Sequence, residues 1–154
     1  MNFQIVDIEW EGPFRVSYDR DEDAYEIGSI PNVLVNGYGF YQIYGRHPVY
    51  GNDVLLYIGE TKKGKSATRS FKNRLREHIA SRFYNHTNLS IYIGPCALSD
   101  ELVQVVESIL IFSHAPALNR RHLDKPVDGA EKLLIRNWGF VGSLESACTG
   151  YWDE

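Results

Sequence analysis

Between Gly39 and Gly59 the chain reads GFYQIYGRHPVYGNDVLLYIG. An apolar-aromatic run, Gly39-Phe40-Tyr41-Gln42-Ile43-Tyr44, stops at Gly45. A second run, Val54-Leu55-Leu56-Tyr57-Ile58, stops at Gly59. Runs rich in aromatic and β-branched residues, bounded by turn formers, read as strands. A loop-like segment with Pro48, Gly51, Asn52 and Asp53 joins them, so antiparallel pairing is the simplest topology. Tyr41 and Ile43 then share one face of the first strand, and Leu55 and Tyr57 share one face of the second. If the two faces coincide, the two phenols lie close together. By itself the pattern is equally that of two core tyrosines, because Tyr is a good strand residue.

The remaining elements follow from periodicity. Residues 3–8 and 14–18 read as short strands in a β-rich N-terminal extension, with a polar turn over 19–23. Ser66 is placed to cap a helix running to about Arg82, with an apolar stripe of Phe71, Leu75, Ile79 and Phe83. Arg74 and His78, four residues apart, are stacked neighbours beside that stripe. Asn88 to Ile93 alternates and reads as a third strand. Ser99 caps a second helix with Asp100 and Glu101 in its first turn, which ends before Pro116. A short third helix is expected around 130–137. The fold class expected is α+β: a small three-stranded antiparallel sheet flanked by helices, with a β-rich N-terminal extension. The organisation expected is one domain: an extension over 1–37 packed on a core over 38–122, and a C-terminal extension over 123–154.

Composition excludes some classes. At 154 residues and 44% apolar, the chain suits one globular domain. No apolar run is long enough for a membrane span, and the N-terminus shows no secretory pattern. Cys96 and Cys148 are isolated, so reduced thiols and a cytoplasmic location are expected. Net charge is −4, but eight of the sixteen Lys and Arg lie between Glu60 and Arg82, a window carrying +6. The rest of the chain carries −10. A solvated helix face is the usual meaning of such a run. One basic window in an acidic chain, directly after the strand pair, fits a phosphate-facing patch better.

The ordered motifs resemble the GIY-YIG nucleases. Gly39-Phe40-Tyr41 matches the first triplet with Phe in place of Ile, and Tyr57-Ile58-Gly59 matches the second. Arg74-Leu75-Arg76-Glu77-His78 is similar to the family's helical Arg and its neighbour one turn later. Glu107 resembles the Glu of the second helix, and Pro116-Ala117-Leu118-Asn119 the closing Pro-x-x-Asn. The resemblance spans Tyr38 to Arg120. Each triplet alone is common; the ordered set is specific. The fifteen residues between Tyr41 and Tyr57 exceed the family's usual spacing, which implies an enlarged hairpin loop. The long connection from Gly59 to Arg74 leaves Arg69 as a competitor for the arginine role.

The resemblance implies a metal-dependent endonuclease that hydrolyses DNA phosphodiester bonds, restriction-type or structure-specific, acting as a monomer or a homodimer. Its catalytic set would be Tyr41, Tyr57, Arg74, His78 and Glu107. Glu107 is the expected ligand for Mg²⁺ or Mn²⁺, a hard oxygen donor for a hard cation. Arg74 would neutralise phosphate charge. Tyr41 would act as general base if the metal and nearby cations lower its pKa. Tyr57 would orient water or phosphate, and His78 would share the base role or bind phosphate. Lys62, Lys63, Lys65, Arg69, Lys72 and Arg76 are the expected DNA contacts. Asn119 is grouped with them or positions the Glu107 region. The rival reading is a non-catalytic nucleic-acid-binding module on the same fold.

Overall fold

β1 (Gln4–Arg15) runs through the interior of a six-stranded sheet. Its residues alternate: Val6, Ile8 and Trp10 are buried, while Asp7, Glu9 and Glu11 are exposed. That period of two is what a strand with one covered face requires. A computed structural model describes residues 4–27, 29–62, 70–83 and 88–150. After β1 come a small hairpin of β2 (Ser17–Asp19) and β3 (Ala24–Glu26), and the one-turn helix α1 (Asn32–Val35). The long hairpin of β4 (Gly39–His47) and β5 (Gly51–Thr61) leads to helix α2 (Phe71–Arg82), β6 (Ser90–Pro95) and helix α3 (Asp100–His114). A 3₁₀ turn (Ala130–Lys132), β7 (Leu133–Gly139) and β8 (Ala147–Thr149) complete the chain. The strand order is β5-β4-β6-β1-β7-β8, antiparallel except where β1 lies parallel to β7.

The expected three-stranded sheet flanked by helices is therefore incorrect. The three strands are present as β5, β4 and β6, but they are half of a larger mixed sheet. The N-terminal residues are an interior strand between β6 and β7, and the C-terminal residues supply two more strands. The helix expected over 130–137 is a 3₁₀ turn followed by β7. Leu133, Ile135 and Asn137 point inward, and Arg136 and Trp138 point out. The consecutive apolar residues Leu133-Leu134-Ile135 hide this alternation in the sequence, because a short apolar run suits either structure.

The hairpin also differs from expectation. The extra residues lengthen the strands, not the loop: His47 pairs with Gly51 across a three-residue turn. The pairing slips by one between Ile43↔Tyr57 and Tyr44↔Leu55, so Leu56 is an added residue on β5. A bulge of this kind turns the following side chains to the other face. Tyr57 and Leu56 accordingly pack with α2, and Leu55 packs with α3.

Each helix covers one face of the sheet. Phe71, Leu75, Ile79 and Phe83 pack on Tyr41, Ile43, Ile91 and Ile93. Val103, Val106, Ile109 and Leu110 pack on Phe40, Ile58, Ile8 and Trp10. The cap on α3 is as expected, with Ser99 Oγ accepting from the Leu102 N–H at 3.3 Å. α2 begins after Ser70, whose side chain makes no cap bond, and Ser66 lies outside the described residues. No helix of the described residues is long and apolar enough to cross a membrane.

Candidate active site

Tyr41 sits on β4 opposite Gly59 of β5, and Ile43 sits opposite Tyr57. Tyr41 and Tyr57 are therefore diagonal neighbours on one face, the pairing that brings large side chains together. Their ring centroids are 6.2 Å apart. Gly59 is what lets the Tyr41 ring lie flat across the hairpin, since a Cβ there would stand 2.2 Å from the ring. The last glycine of the second triplet thus makes room for the tyrosine of the first.

α2 sets its polar residues against this pair. The Phe71/Leu75/Ile79 stripe faces the sheet, which places His78 under the sheet edge and Arg74 at the rim. The Tyr41 hydroxyl and His78 Nδ1 are hydrogen-bonded at 2.9 Å, both groups buried. Tyr57 meets the His78 ring edge-on at 5.3 Å and Phe83 at 5.8 Å. The two phenols differ in access: Tyr41 is fully covered and Tyr57 is only half-buried.

Glu107 reaches the same region from α3. Burial first, and then the charge of Glu60, lift its carboxyl to about 7 against the pull of Lys62, Arg74 and Arg121. Tyr41 feels Arg74, Glu107 and Glu60 as well. Burial and Tyr57 nevertheless hold its phenol well above the ordinary value. Arg74 therefore stands within electrostatic reach of both the phenol and the carboxylate. Its ion pair with Glu77, 3.9 Å apart on an exposed helix edge, is too weak to withdraw it from that role.

The expected set thus divides. Tyr41, Tyr57, Arg74, His78 and Glu107 come together at the end of β5. Lys62 is close enough to act on Glu107, while Lys72 and Arg76 lie exposed on the outer face of α2. Lys63, Lys65 and Arg69 lie outside the described residues. Without a metal, burial raises the phenol of Tyr41 instead of lowering it as a phenolate base would need.

Asn119 faces inward. Its amide oxygen accepts the Ile58 N–H at 2.9 Å, and its amide nitrogen donates to the Ile58 carbonyl at 3.0 Å. Together with Ala117 N–H to Leu55 O and Leu118 N–H to Leu56 O, this seals the outer edge of β5. With its amide committed to the backbone, Asn119 fixes the strand that carries Tyr57 and Glu60. His114 is likewise occupied, bonded to Leu110 O and accepting from the Glu145 N–H. Two residues that sequence reasoning missed belong to the site. Glu60 directly follows the second triplet, and Arg121 lies two residues beyond Asn119. Their adjacency to motif residues was the available signal.

The donor set suits a hard divalent cation. Glu107 and Glu60 are oxygen donors in a partly buried place, with cations around them for a bound phosphate. Among the described residues no cluster of three His, Cys, Asp or Glu forms a protein-only cage. One or two carboxylates, completed by water and substrate oxygens, is the usual Mg²⁺ arrangement. No protein-family model, curated protein or solved structure matches the chain.

Proposed function

We propose that the chain is a divalent-metal-dependent endonuclease of the GIY-YIG type, acting on DNA. The observation that carries this reading is the convergence of five residues from four elements on one edge, centred on the 2.9 Å Tyr41–His78 bond. A structural core explains two neighbouring phenols. It does not explain a carboxylate held near neutrality beside three cations at the same spot.

Roles follow from access and protonation. Tyr41, buried and neutral, is a positioning residue: its hydroxyl and His78 Nδ1 share one hydrogen bond, which fixes the ring. In the tautomer with the proton on Nδ1, His78 would take the proton of the attacking water on Nε2, and the Tyr41 oxygen would steady the imidazolium that forms. Tyr57, the half-exposed phenol, orients that water or the scissile phosphate. Arg74 offers its planar fork to the phosphoryl oxygens. Glu107, with Glu60 beside it, would hold Mg²⁺ or Mn²⁺. When bound, the metal polarises the phosphoryl group and stabilises the departing oxygen. Lys62, Lys72 and Arg76 extend the positive surface along the duplex. One such site cuts one strand, so cleavage of both strands takes two visits or two copies of the chain.

Supercoiled plasmid incubated with the purified chain, with Mg²⁺, with Mn²⁺ and with EDTA, tests the reading. Nicking or linearisation with metal, absent in EDTA and in Glu107→Gln, is the expected result. DNA binding without cleavage under every metal condition would favour the rival, a non-catalytic binding module. Tyr41→Phe sharpens the assignment of roles. If Tyr41 only fixes His78, the variant loses about tenfold in rate and its pH–rate profile shifts. Complete loss would return Tyr41 to the reacting atoms.

A further inference from the structure

A second cavity lies toward the other end of β4, on the sheet face opposite Tyr41. It is a half-open hollow of about 620 Å³, lined from β1, β4, β5, β6 and the loop after β7. Tyr44 and Tyr92 meet edge to face within its lining, their centroids 5.1 Å apart. Tyr44 is covered, whereas Tyr92 is partly exposed and lines the cavity.

The wall from the loop is held in place by specific bonds. The Tyr44 hydroxyl donates to Gln42 Oε1 and accepts the Ser143 N–H at 2.8 Å. Gln42 Nε2 in turn donates to the Val141 carbonyl at 3.3 Å. Gly142 adopts φ +63°, and a Cβ there would stand 2.5 Å from the Tyr44 oxygen. Only glycine lets the loop come this close while keeping that backbone angle.

The lining has a definite chemical character. Arg15 and Arg46 come from two different strands, and Asp53 is the single carboxylate. Guanidinium groups suit phosphate oxygens. An accessible aromatic ring accepts a nucleobase by stacking. The side chains of Asn52 and Asn88 offer the mixed donors and acceptors that base edges need. The volume falls within the usual range of small-molecule sites, roughly 300–1,000 Å³. None of these residues belongs to the Tyr41–Glu107 site.

We propose that this cavity binds a single nucleotide, with its phosphate on Arg15 and Arg46 and its base against Tyr92. The nucleotide is either a free mononucleotide or one unpaired residue of a strand. The site rests on its own geometry and not on the nuclease reading.

Backbone NMR of the full chain in EDTA tests it, titrating dTMP, dGMP, the oligonucleotide dT5 and inorganic phosphate separately. The amides of Tyr92, Gly142 and Ser143 should shift saturably with an apparent Kd on the order of 1 mM or below for a nucleotide. Phosphate alone should require roughly tenfold more, because it lacks the base contact. The double variant Arg15→Ala/Arg46→Ala, folded by the same spectra, should weaken nucleotide binding by about tenfold or more. Tyr92→Leu should bring the nucleotide down to the level of phosphate. Tighter binding of dT5 through the same amides identifies a strand residue as the occupant, and selective binding of mononucleotides identifies a free one.

No shift of these amides up to about 10 mM nucleotide would overturn the proposal. So would equal affinity for phosphate and nucleotide, or binding unchanged in the double variant. Because the titration contains no metal, its result is independent of whether plasmid is cleaved.

Discussion

Two carboxylates, one in each half of the molecule, are driven in opposite directions. Glu107 lies where β5 and β4 are covered by helices on both faces, and burial raises its carboxyl to about 7. Asp7 lies on β1, on the bare outer face of the β1-β7-β8 half. There the Arg136 guanidinium and the Trp138 N–H grip it and lower its carboxyl to about 2. Asp7 is already satisfied by protein partners: Arg136 Nε and Nη2 donate to it at 2.6 and 2.8 Å, and Trp138 Nε1 at 2.8 Å. Glu107 is instead buried, with Glu60 nearby, so that its charge is disfavoured despite Lys62, Arg74 and Arg121. Perturbation toward the charged form marks a structural contact here, and perturbation away from it marks a place suited to an added cation.

The harshest way to break the comparison is to remove the solvated half. If β1 were a dispensable extension, deleting residues 1–15 would spare the site. It is an interior strand, and burying Val6, Ile8 and Trp10 contributes roughly 1.5–3 kcal/mol for each side chain. That sum rivals the whole stability of an ordinary domain, about 5–15 kcal/mol. The truncated chain is expected to be unfolded by circular dichroism. A cooperative melt from it would show that the two halves are independent.

Glu107→Gln comes next and should act in two opposite directions. Cleavage is expected to fall by on the order of a hundredfold or more, because an amide is a poor divalent-ion ligand. Stability of the metal-free protein should rise. A carboxyl whose folded pKa is raised binds its proton more tightly when folded, so stability is lost as pH climbs from the unfolded value of about 4.5 through about 7. At pH 8 the buried charge costs on the order of 3 kcal/mol, which the amide does not incur. Melting curves in EDTA at pH 5 and pH 8 check this. Wild type and variant should converge at pH 5 and separate at pH 8, with the variant more stable. Equal separation at both values would mean that the carboxylate is not strained.

Arg74→Ala and Arg69→Ala test the proposed catalytic roles further. Arg74 sits at the rim of the α2 stripe with both Tyr41 and Glu107 in reach. Its loss should reduce single-turnover cleavage under saturating DNA by about a hundredfold. Arg69→Ala should mainly raise the DNA concentration required and be rescued at low salt. The reverse outcome would move the catalytic arginine into the segment before α2.

The two halves also differ in how much of them could be read in the sequence. The Tyr41/Tyr57 pair, the Arg74–His78 spacing and the Ser99 cap depend on neighbours within one hairpin or one helix, and local patterns carry them. The six-stranded sheet depends on Gln4–Trp10 finding Leu133–Gly139, a pairing across most of the chain. Val6, Ile8 and Trp10 alternate visibly with acids, but nothing local says which strand they adjoin. β7 was hidden for a different reason: Leu133-Leu134-Ile135 fits either period over so short a span. The Leu56 bulge was not legible either, since it arises from pairing and leaves no compositional mark. Asn119 was visible as a motif residue, but its engagement with Ile58 required the edge of β5 to be known.

The smallest expected effect tests the solvated carboxylate. Asp7→Asn keeps the shape and the Trp138 contact but removes the charge that Arg136 meets. A carboxyl whose folded pKa is lowered contributes stability above its unfolded value of 3.8, and that contribution disappears as pH falls through about 2. Wild type should therefore melt slightly above the variant at pH 6, and the difference should close by about pH 2. Both groups are solvated, so added salt should shrink the difference at pH 6 as well, in contrast to the buried Glu107. The sign of the pH dependence is thus opposite to that of Glu107→Gln, although both substitutions replace an acid by its amide. A stability gain from Asp7→Asn at pH 6 would mean that Asp7 is repelled by Glu9 and Glu11 along β1 more strongly than it is held by Arg136. The exposed face of β1 would then itself be a strained acidic surface, and the contrast between the two halves would collapse.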